Sequence, residues 1–311
     1  MKKAPPRNVT TEQQNPRSRN IDQKSTREIL RVINREDAQI ARAVAQEIPK
    51  IARAVDAIAE RIGKGGRLFY IGAGTSGRLG VLDASECPPT FGVPRTLVQG
   101  IIAGGTRALT ESVEGAEDHE EQGARDLRER GMTSGDVVVG LAASGSTPYA
   151  LGALKYARKR GAYTIGLTMN RSSAISRLAH VTIAPETGPE VIAGSTRMKA
   201  GTAEKMVLNM LSTAVMIRLG HVYDNWMIKV AKTNKKLRER ALRNLTNATG
   251  AQVLTARHTL RQAGDNLQVA LIMLKAGLNA RQARLRLAAT HGNLREAVAS
   301  ASKPARGNKR K

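Results

Sequence analysis

The stretch Leu68-Phe69-Tyr70-Ile71-Gly72-Ala73-Gly74-Thr75-Ser76-Gly77 decides the fold, because an apolar run leads directly into a glycine-rich loop. Four consecutive apolar residues predict a strand that is covered on both faces. The six residues after it match the pattern G-x-G-x-x-G, whose glycines permit a tight turn into a helix with free amides at its N-terminus. A strand, such a loop and a helix in this order are typical of an α/β protein with a parallel sheet.

The same alternation continues along the chain. Further strands are predicted at residues 97–102, 137–141, 163–167 and 181–183. Helices are predicted between them at residues 106–113, 120–130 and 149–160, and a long helix is predicted at 199–219. Because strands separated by helices form βαβ units, the predicted fold class is α/β, with a parallel sheet flanked by helices.

The regions on either side of this alternation show helical patterns only. Ser25-Thr26-Arg27-Glu28 matches a capping box and predicts the start of a helix. Beyond residue 243, three amphipathic segments at 250–263, 267–276 and 280–290 predict a small helical bundle. The predicted organisation is an extended N-terminal arm (1–24), an α/β domain (25–242), a small helical domain (243–298) and a basic flexible tail (299–311).

The composition excludes several classes of protein. Hydrophobic residues make up 41% of the 311 residues, which is enough for a buried core. No run of about 18 uncharged apolar residues occurs, and no apolar segment follows Met1–Pro6, so we expect no membrane span and a cytoplasmic location. The single cysteine, Cys87, excludes internal disulfides and a cysteine-based zinc site.

The positive charge is concentrated at the C-terminal end. The chain has a net charge of +24, and residues 231–311 carry 18 Lys and Arg against 3 Asp and Glu. Such a region is typical of a solvated basic surface, and it also predicts weak, sequence-independent contact with nucleic acid or other polyanions. No aromatic residues are interleaved there to stack on bases, so we expect polyanion contact to be a side property.

Two loops carry residues suited to binding a phosphate group. A dinucleotide site would require an acidic residue after the second strand, but the strand at 97–102 is followed by Ala103-Gly104-Gly105, which disfavours NAD. A second loop, Ala143-Ser144-Gly145-Ser146-Thr147-Pro148, also lies between a predicted strand and a helix. Its hydroxyls suit either an ordinary helix cap or a phosphate monoester. Two such loops favour a ligand the size of a phosphosugar at the carboxyl ends of the strands.

Two further segments carry carboxylates. In Asp83-Ala84-Ser85-Glu86-Cys87-Pro88-Pro89-Thr90, the proline pair predicts that a helix ends near Cys87 and that Glu86 lies at a rigid turn. Glu117 belongs to the acidic run Glu114–Glu121, whose spacing alone is typical of a solvated helix start.

Several motifs together resemble the N-acetylmuramic acid 6-phosphate etherase family. They are Gly72–Gly80, Asp83–Thr90, Val113–Asp118 and Gly194–Thr202, with Thr11–Gln13 and Asn15–Ser18 near the N-terminus. The resemblance is dense between about residues 10 and 240 and looser in the C-terminal helices. It implies a sugar isomerase (SIS) fold, a homodimer, no metal or organic cofactor, and a role in cell-wall sugar recycling.

The resemblance also implies a reaction and its residues. The substrate would be a phosphorylated amino sugar, whose lactyl ether at C3 is cleaved by elimination and water addition. This chemistry requires one general acid and one general base. By their positions in the family motifs, Glu86 is the proton donor to the lactyl oxygen and Glu117 is the partner at C2. The implied substrate-binding residues are Thr75, Ser76, Gly77, Ser144, Gly145, Ser146, Thr147, Ser195, Thr196 and Lys199.

Two departures from the family pattern leave alternatives open. Ser146 stands where the family usually has Arg, which removes a guanidinium contact to an anion, and Asn170-Arg171-Ser172-Ser173 replaces an Asn-Pro-Gly-Ser turn. The main alternative is therefore a non-catalytic SIS protein that binds a phosphosugar and regulates a partner. The presence of both Glu86 and Glu117 favours the enzyme. A DNA-binding regulator would need an N-terminal helix-turn-helix, for which the segment before Ser25 is too short and polar.

Overall fold

A computed structural model describes residues 10–229 and 235–299 and places a five-stranded parallel sheet in the first part of the chain. The strands are β1 (Leu68–Gly72), β2 (Val98–Ile102), β3 (Val137–Leu141), β4 (Tyr163–Leu167) and β5 (Val181–Ile183). Their order in the sheet is β2-β1-β3-β4-β5, and every neighbouring pair is parallel. The predicted α/β fold and all five predicted strands are confirmed.

The central strands form because their side chains are covered on both faces. Every residue of β1 and β3 is buried, which agrees with their unbroken apolar runs. On one face, Phe69 and Val138 pack with Tyr149 and Leu154 in a continuous core. These two strands therefore pack against the helix that follows β3.

Eight helices accompany the described part of this sheet. They are α1 (Thr26–Asp37), α2 (Ile40–Gln46), α3 (Ile48–Gly63), α4 (Gly74–Phe91), α5 (Glu120–Glu129), α6 (Pro148–Lys159), α7 (Ala174–Leu178) and α8 (Lys199–Arg218). The predicted capping box is present before α1, where the backbone amide of Ser25 donates to Glu28 Oε2 over 2.9 Å. α7 was not predicted.

The predicted end of a helix near Cys87 is wrong. α4 continues through Pro88 and Pro89 to Phe91. Proline has a helical φ, and α4 continues through its last turn despite the two amide hydrogens that Pro88 and Pro89 lack. Glu86 therefore lies within a helix and not at a turn.

The prediction of a helix at residues 106–113 is also wrong. The structure forms only a short 3₁₀ turn there, Gly105–Leu109. Gly104 and Gly105, just before the predicted helix, have positive φ values of 84° and 67°, and the 3₁₀ turn ends at Leu109. The chain between β2 and α5 is consequently a loop with two short turns.

The structure divides the chain at different positions from the predicted domains. One compact unit runs to Ser85 and resumes over Arg95–Thr213, and the second contains Glu86–Pro94 and the chain from Ala214 onward. The predicted boundary followed residue 242. Residues 10–23 form three short 3₁₀ turns rather than an extended arm. Of the predicted tail at 299–311, all but residue 299 lies outside the described residues, as do residues 1–9 of the predicted arm.

Buried charges anchor the N-terminal turns to the start of α8. Lys199 Nζ donates to Glu36 Oε2 over 2.7 Å, and both side chains are 3% exposed. Asn15 and Arg17 also donate to the Glu36 carboxylate, over 2.7 and 3.1 Å. Burial opposes ionisation, but these hydrogen bonds outweigh it and lower the pKa of Glu36 to about 2. The N-terminal segment is thereby part of the first unit.

The second unit is built from helices and one short hairpin. Its helices are α9 (Lys235–Thr249), α10 (Val253–Gln262), α11 (Leu267–Ala276), α12 (Ala280–Ala289) and α13 (Leu294–Ala299). α11 is buried along most of its length and forms the centre of a separate apolar core. The three predicted helical segments are confirmed as α10, α11 and α12. The antiparallel pair β6 (Val222–Tyr223) and β7 (Trp226–Met227) was not predicted. Among the described helices, none combines the length and apolar character needed to cross a membrane.

Candidate functional site

The candidate site lies at the edge of the sheet where the parallel strands end. Gly72 at the end of β1 is in register with Leu141 at the end of β3, and Leu141 is in register with Leu167 at the end of β4. The amide of Ala103, directly after β2, donates to the Gly72 carbonyl over 3.0 Å. Four strand-to-helix connections therefore begin side by side, which is where ligands bind in open α/β sheets.

Two glycines allow the conformation of the glycine-rich loop. Gly74, the first residue of α4, has a φ of 53°, in the left-handed region that favours glycine. A β-carbon built on Gly77 would lie 2.6 Å from the Gly72 carbonyl oxygen and 2.7 Å from Ile102. Only glycine at this position lets the first turn of α4 approach β1 and β2 so closely. The predicted residues Thr75 and Ser76 lie in that first turn.

The hydroxyls of the serine-rich loop make hydrogen bonds within the loop, and Thr147 does not cap the helix that follows. Ser144 Oγ and Ser146 Oγ lie 2.9 Å apart, and the Ser146 amide donates to Ser144 Oγ over 3.2 Å. Thr147 occupies the N-cap position of α6, but its side chain makes no capping hydrogen bond. The ordinary helix-cap explanation of this loop therefore does not apply. Hydroxyls and the start of α6 together suit an anion.

The connection that follows β4 packs against the serine-rich loop. The sequence motifs did not assign this connection to the site. Thr168, directly after β4, donates through Oγ1 to the Ala143 carbonyl over 3.2 Å. Gly145 has a φ of 71°, and a β-carbon there would lie 2.7 Å from Thr168 Oγ1 and would collide with Ser173. Ser173 follows shortly after β4 in the sequence, but the sequence does not show that this connection contacts the serine-rich loop.

The start of α8 joins the glycine-rich loop. A β-carbon on Gly201 would lie 3.3 Å from Thr75 Cγ2 and 3.6 Å from the Thr196 carbonyl. Thr196 and Ser195 are half-buried in the loop that leads into α8. The structure thus brings these two predicted residues to the same part of the molecule as Thr75.

The position of the Lys199 side chain differs from the sequence-based expectation. Its ammonium group was expected to contact the substrate, but it is buried against Glu36. Its backbone amide and that of Ala200 both donate to the Glu190 carboxylate, each over 2.9 Å. The residue therefore anchors the start of α8 within the first unit.

Glu117 lies in the connection between β2 and α5. It is exposed in a 3₁₀ turn, Ala116–Asp118, that follows Gly115 at a φ of 72°. Ala116 packs against the core that contains α6, so the turn is held against the helix that begins at the serine-rich loop. The structure shows a defined turn where spacing alone suggested a solvated helix start.

Glu86 is exposed on α4, in the second unit. The neighbouring Cys87 is buried. The helix orients Glu86 away from the apolar side that Cys87 occupies, so its carboxyl group is accessible to solvent or a ligand.

A buried carboxylic acid, Glu204, was missed entirely. Ser76 Oγ donates to Glu204 Oε1 over 2.8 Å, and Glu204 is 1% exposed. Its other oxygen, Oε2, has no hydrogen-bond partner in the described residues. Burial raises the pKa of Glu204 to about 8, with the Ser76 hydrogen bond acting in the opposite direction. Within a helix, a single glutamate gives no sequence signal that it points inward.

The described residues contain no group of three or more His, Cys, Asp or Glu side chains that could hold a metal ion. β2 ends at Ile102 and is followed by Ala103 and Gly104, so the carboxylate that a dinucleotide ribose requires is missing from that position.

Two protein-family models match the chain. One describes the N-terminal SIS domain of glucokinase regulatory protein and matches residues 50–158, and the other describes the SIS domain and matches residues 118–214. A solved structure of a candidate phosphosugar isomerase involved in capsule formation, from Bacteroides fragilis, aligns with a TM-score of 0.50. It is 16% identical and covers 67% of this chain and 98% of its own, which supports the fold.

Curated relatives are much more similar. An N-acetylmuramic acid 6-phosphate etherase from Clostridium beijerinckii is 51% identical over 292 residues, covering 94% of this chain and 96% of the relative. Etherases of the same name from Geobacillus thermodenitrificans and Yersinia pestis are 48% and 52% identical, each covering 93% of this chain and 98% of the relative.

Replacement of Gly145 by Ala should destabilise the serine-rich loop more than the same change at a matched glycine. Gly145 and Gly131 both have positive φ, of 71° and 62°, but nothing lies within 4 Å of a β-carbon on Gly131. Backbone strain should cost about 1–2 kcal/mol in both variants. The collision with Ser173 should add about 1–3 kcal/mol in Gly145→Ala. Urea unfolding of both variants measures the difference, and equal losses would contradict the close packing of this loop.

Proposed function

The chain belongs to the N-acetylmuramic acid 6-phosphate etherase family and is a lyase that gives N-acetylglucosamine 6-phosphate and D-lactate; we propose that Glu86 and Glu117 transfer the protons. The observation that carries the function is the identity of about half of all positions to curated etherases over nearly the whole chain. The serine-rich and glycine-rich loops at the ends of adjacent strands support binding of a phosphorylated sugar.

The reaction follows from the acidity of the substrate. In the open-chain sugar, the hydrogen on C2 is next to the aldehyde and can be removed by a carboxylate. The electron pair left on C2 forms a C2–C3 double bond while the C3–O bond to lactate breaks. The lactyl oxygen takes up a proton, since an alkoxide leaves poorly. Water then adds to C3, a proton returns to C2, and the net change is addition of one water molecule.

The proposal assigns one carboxyl group to each proton. Glu86 gives its proton to the lactyl oxygen, and Glu117 removes the hydrogen from C2. Both side chains are exposed. General acid–base catalysis of this kind is typically worth about 10²–10⁴-fold for each group.

The two strand-end loops would hold the phosphate. Ser144, Ser146 and Thr147 have hydroxyls that do not cap α6, and Gly145 lets the loop turn sharply beside them. The first turn of α4 would contribute the remaining contacts, through the predicted residues Thr75, Ser76 and Gly77. Helix N-termini favour anions through their free amides and the helix dipole.

The start of α8 would contact the substrate's other oxygens. Ser195 and Thr196 are half-buried beside the glycine-rich loop and suit hydroxyl or carboxylate contacts. Lys199 would act by holding the start of α8 in place, since its ammonium group is paired with Glu36.

The alternative of a non-catalytic regulatory SIS protein is not favoured. The curated relatives are named etherases, and both glutamates of the family motifs are present. Ser146 in place of the usual Arg removes one cation, but the neighbouring hydroxyls and the start of α6 remain.

Release of D-lactate from N-acetylmuramic acid 6-phosphate tests the glutamate assignment. We expect release by the wild type and a loss of about 10²–10⁴-fold in kcat for both Glu86→Gln and Glu117→Gln. Glu114→Gln is the matched control, since Glu114 is exposed in the same acidic run. Near-normal kcat in either glutamine variant would remove that residue from the mechanism. Binding of the sugar phosphate without lactate release by any protein would favour the regulatory alternative.

We also propose that the protein is a homodimer. Leu82 on α4 and Met210 on α8 are 53% and 36% exposed, and the two helices are joined where Asp83 accepts hydrogen bonds from Asn209 and Ser212, over 2.7 and 3.1 Å. Exposed apolar side chains on two adjacent helices suit an interface with a second copy.

Replacement of Leu82 by Asp should shift the protein toward monomer, because it places a charge on this apolar surface. Sedimentation velocity measures the effect. Leu30→Asp is the control, since Leu30 is 60% exposed on α1. A dimer that survives Leu82→Asp unchanged would place the interface elsewhere.

A weak contact between the basic C-terminal region and polyanions is a further proposal. Residues 231–311 carry most of the charge excess, and Arg257, Arg261, Arg281 and Arg284 are exposed in the second unit. We expect random-sequence DNA to shift the protein in a gel at low salt and not at high salt, because counterion release drives such binding. Absence of a shift at low salt would eliminate the proposal.

A cytoplasmic location is proposed because a charged sugar phosphate crosses membranes poorly. Cell fractionation tests it, and recovery of the protein in a membrane or extracellular fraction would contradict it.

A further inference from the structure

Glu204 and Ser76 form a buried pair beneath the glycine-rich loop. Ser76 Oγ donates to Glu204 Oε1 over 2.8 Å, and the pair joins the first turn of α4 to the second turn of α8. Both residues are buried, at 8% and 1% exposure. A β-carbon built on Gly201, about one helical turn before Glu204, would lie 3.3 Å from Thr75 Cγ2 in the same loop. A carboxyl group in this position acts directly on a residue of the candidate phosphosugar site.

Charged groups on α4, on α8 and in the loop before α8 have other partners. Lys199 is paired with Glu36, and Glu190 accepts the amides of Lys199 and Ala200. Lys205 lies near Asp83, whose carboxylate also accepts from Asn209 and Ser212. Arg78, on the first part of α4, donates to the carbonyls of Ala108 and Glu111. Ser76 is the one group whose hydrogen bond to Glu204 the described structure shows.

We propose that Glu204 is a positioning residue whose protonated form frees the hydroxyl hydrogen of Ser76 for an oxygen of the bound sugar phosphate, and whose ionisation weakens substrate binding. This inference rests on the proposed function, because it concerns the same substrate site.

The number of hydrogens that Ser76 and Glu204 carry decides which of them donates. A serine hydroxyl has one hydrogen to donate, and an ionised carboxylate can only accept. When Glu204 is ionised, the Ser76 hydrogen is held by the carboxylate. When Glu204 is protonated, the acid donates to Ser76 Oγ, and the hydroxyl hydrogen is released toward the ligand. Ionisation also places a negative charge next to a bound phosphate, which repels it.

The burial of Glu204 places this change near neutral pH. Its pKa is raised to about 8, so the acid form predominates at pH 7 and the ionised form at pH 9. A phosphate monoester has its second pKa near 6, so the substrate itself does not titrate in this range. The group that changes from acid to carboxylate over this pH range is therefore Glu204 and not the substrate.

The experiment measures KM for N-acetylmuramic acid 6-phosphate between pH 7 and pH 9. If only the acid form binds, KM of the wild type should rise about tenfold over this range, given a pKa of about 8. Glu204→Gln should show a low KM that does not change with pH, because the glutamine amide donates to Ser76 Oγ as the acid does. Circular dichroism at both pH values checks that each protein stays folded.

Two further variants separate positioning from stability. Asp83→Asn is the matched control: Asp83 is another buried carboxyl group between α4 and α8, and burial raises its pKa. We expect this variant to keep the wild-type rise in KM. Ser76→Ala should raise KM already at pH 7, and adding Glu204→Gln should change KM no further, since coupled residues are not additive. If Glu204→Gln fails to fold, Ser76→Ala still tests the hydroxyl.

The outcomes distinguish this inference from the proposed function. The dissociation constant for the product, N-acetylglucosamine 6-phosphate, is measured by calorimetry over the same pH range and does not depend on catalysis. A wild-type KM or dissociation constant that is flat between pH 7 and pH 9, or a rise that persists in Glu204→Gln, would overturn the role of Glu204. Absence of D-lactate release with a pH-dependent dissociation constant would overturn the etherase assignment and leave the role of Glu204 intact.

Discussion

The close approach of α4 to the ends of β1 and β2 is the constraint on which the site depends. Because a β-carbon at Gly77 would lie 2.6 Å from the Gly72 carbonyl, no other residue lets the first turn of the helix lie against the sheet. That approach brings Thr75 and Ser76 to the edge where β3 and β4 also end, in register with β1. The two hydroxyl-bearing loops therefore begin at one edge of the sheet, where helix N-termini favour an anion.

Buried charged residues hold the start of α8 in place. Lys199 would be costly to bury alone, but Glu36 compensates it at 2.7 Å, with Asn15 and Arg17 completing the carboxylate's hydrogen bonds. Glu190 satisfies two backbone amides at the start of α8. The beginning of α8 is thus tied to both the N-terminal turns and the loop before it. The same helix carries Glu204 to Ser76, so the buried ion pairs and the hydrogen bond to Ser76 belong to one framework.

The strands and most helices could be predicted because each depends on a local pattern. Apolar runs identified all five strands of the sheet, and the capping box before α1 is a contact between near neighbours. Local rules were wrong where two of them compete. Pro88 and Pro89 remove amide hydrogens, yet their φ is helical, and α4 continues through them. The helix predicted at 106–113 is instead a short 3₁₀ turn, Gly105–Leu109, which the chain enters through positive φ at Gly104 and Gly105.

The sequence by itself determined the fold class and the two strand-end loops, which follow from residue type and short-range spacing. Its resemblance to the family motifs is the basis for proposing Glu86 and Glu117 as the carboxyl groups of the reaction. Only the tertiary structure decided which side chains face one another. It turned Lys199 from an expected ligand contact into the partner of Glu36, and it placed Glu204 beneath Ser76, 128 positions away in the chain. Burial and pairing across such distances set the charge state of a group, and no local pattern in the chain records them.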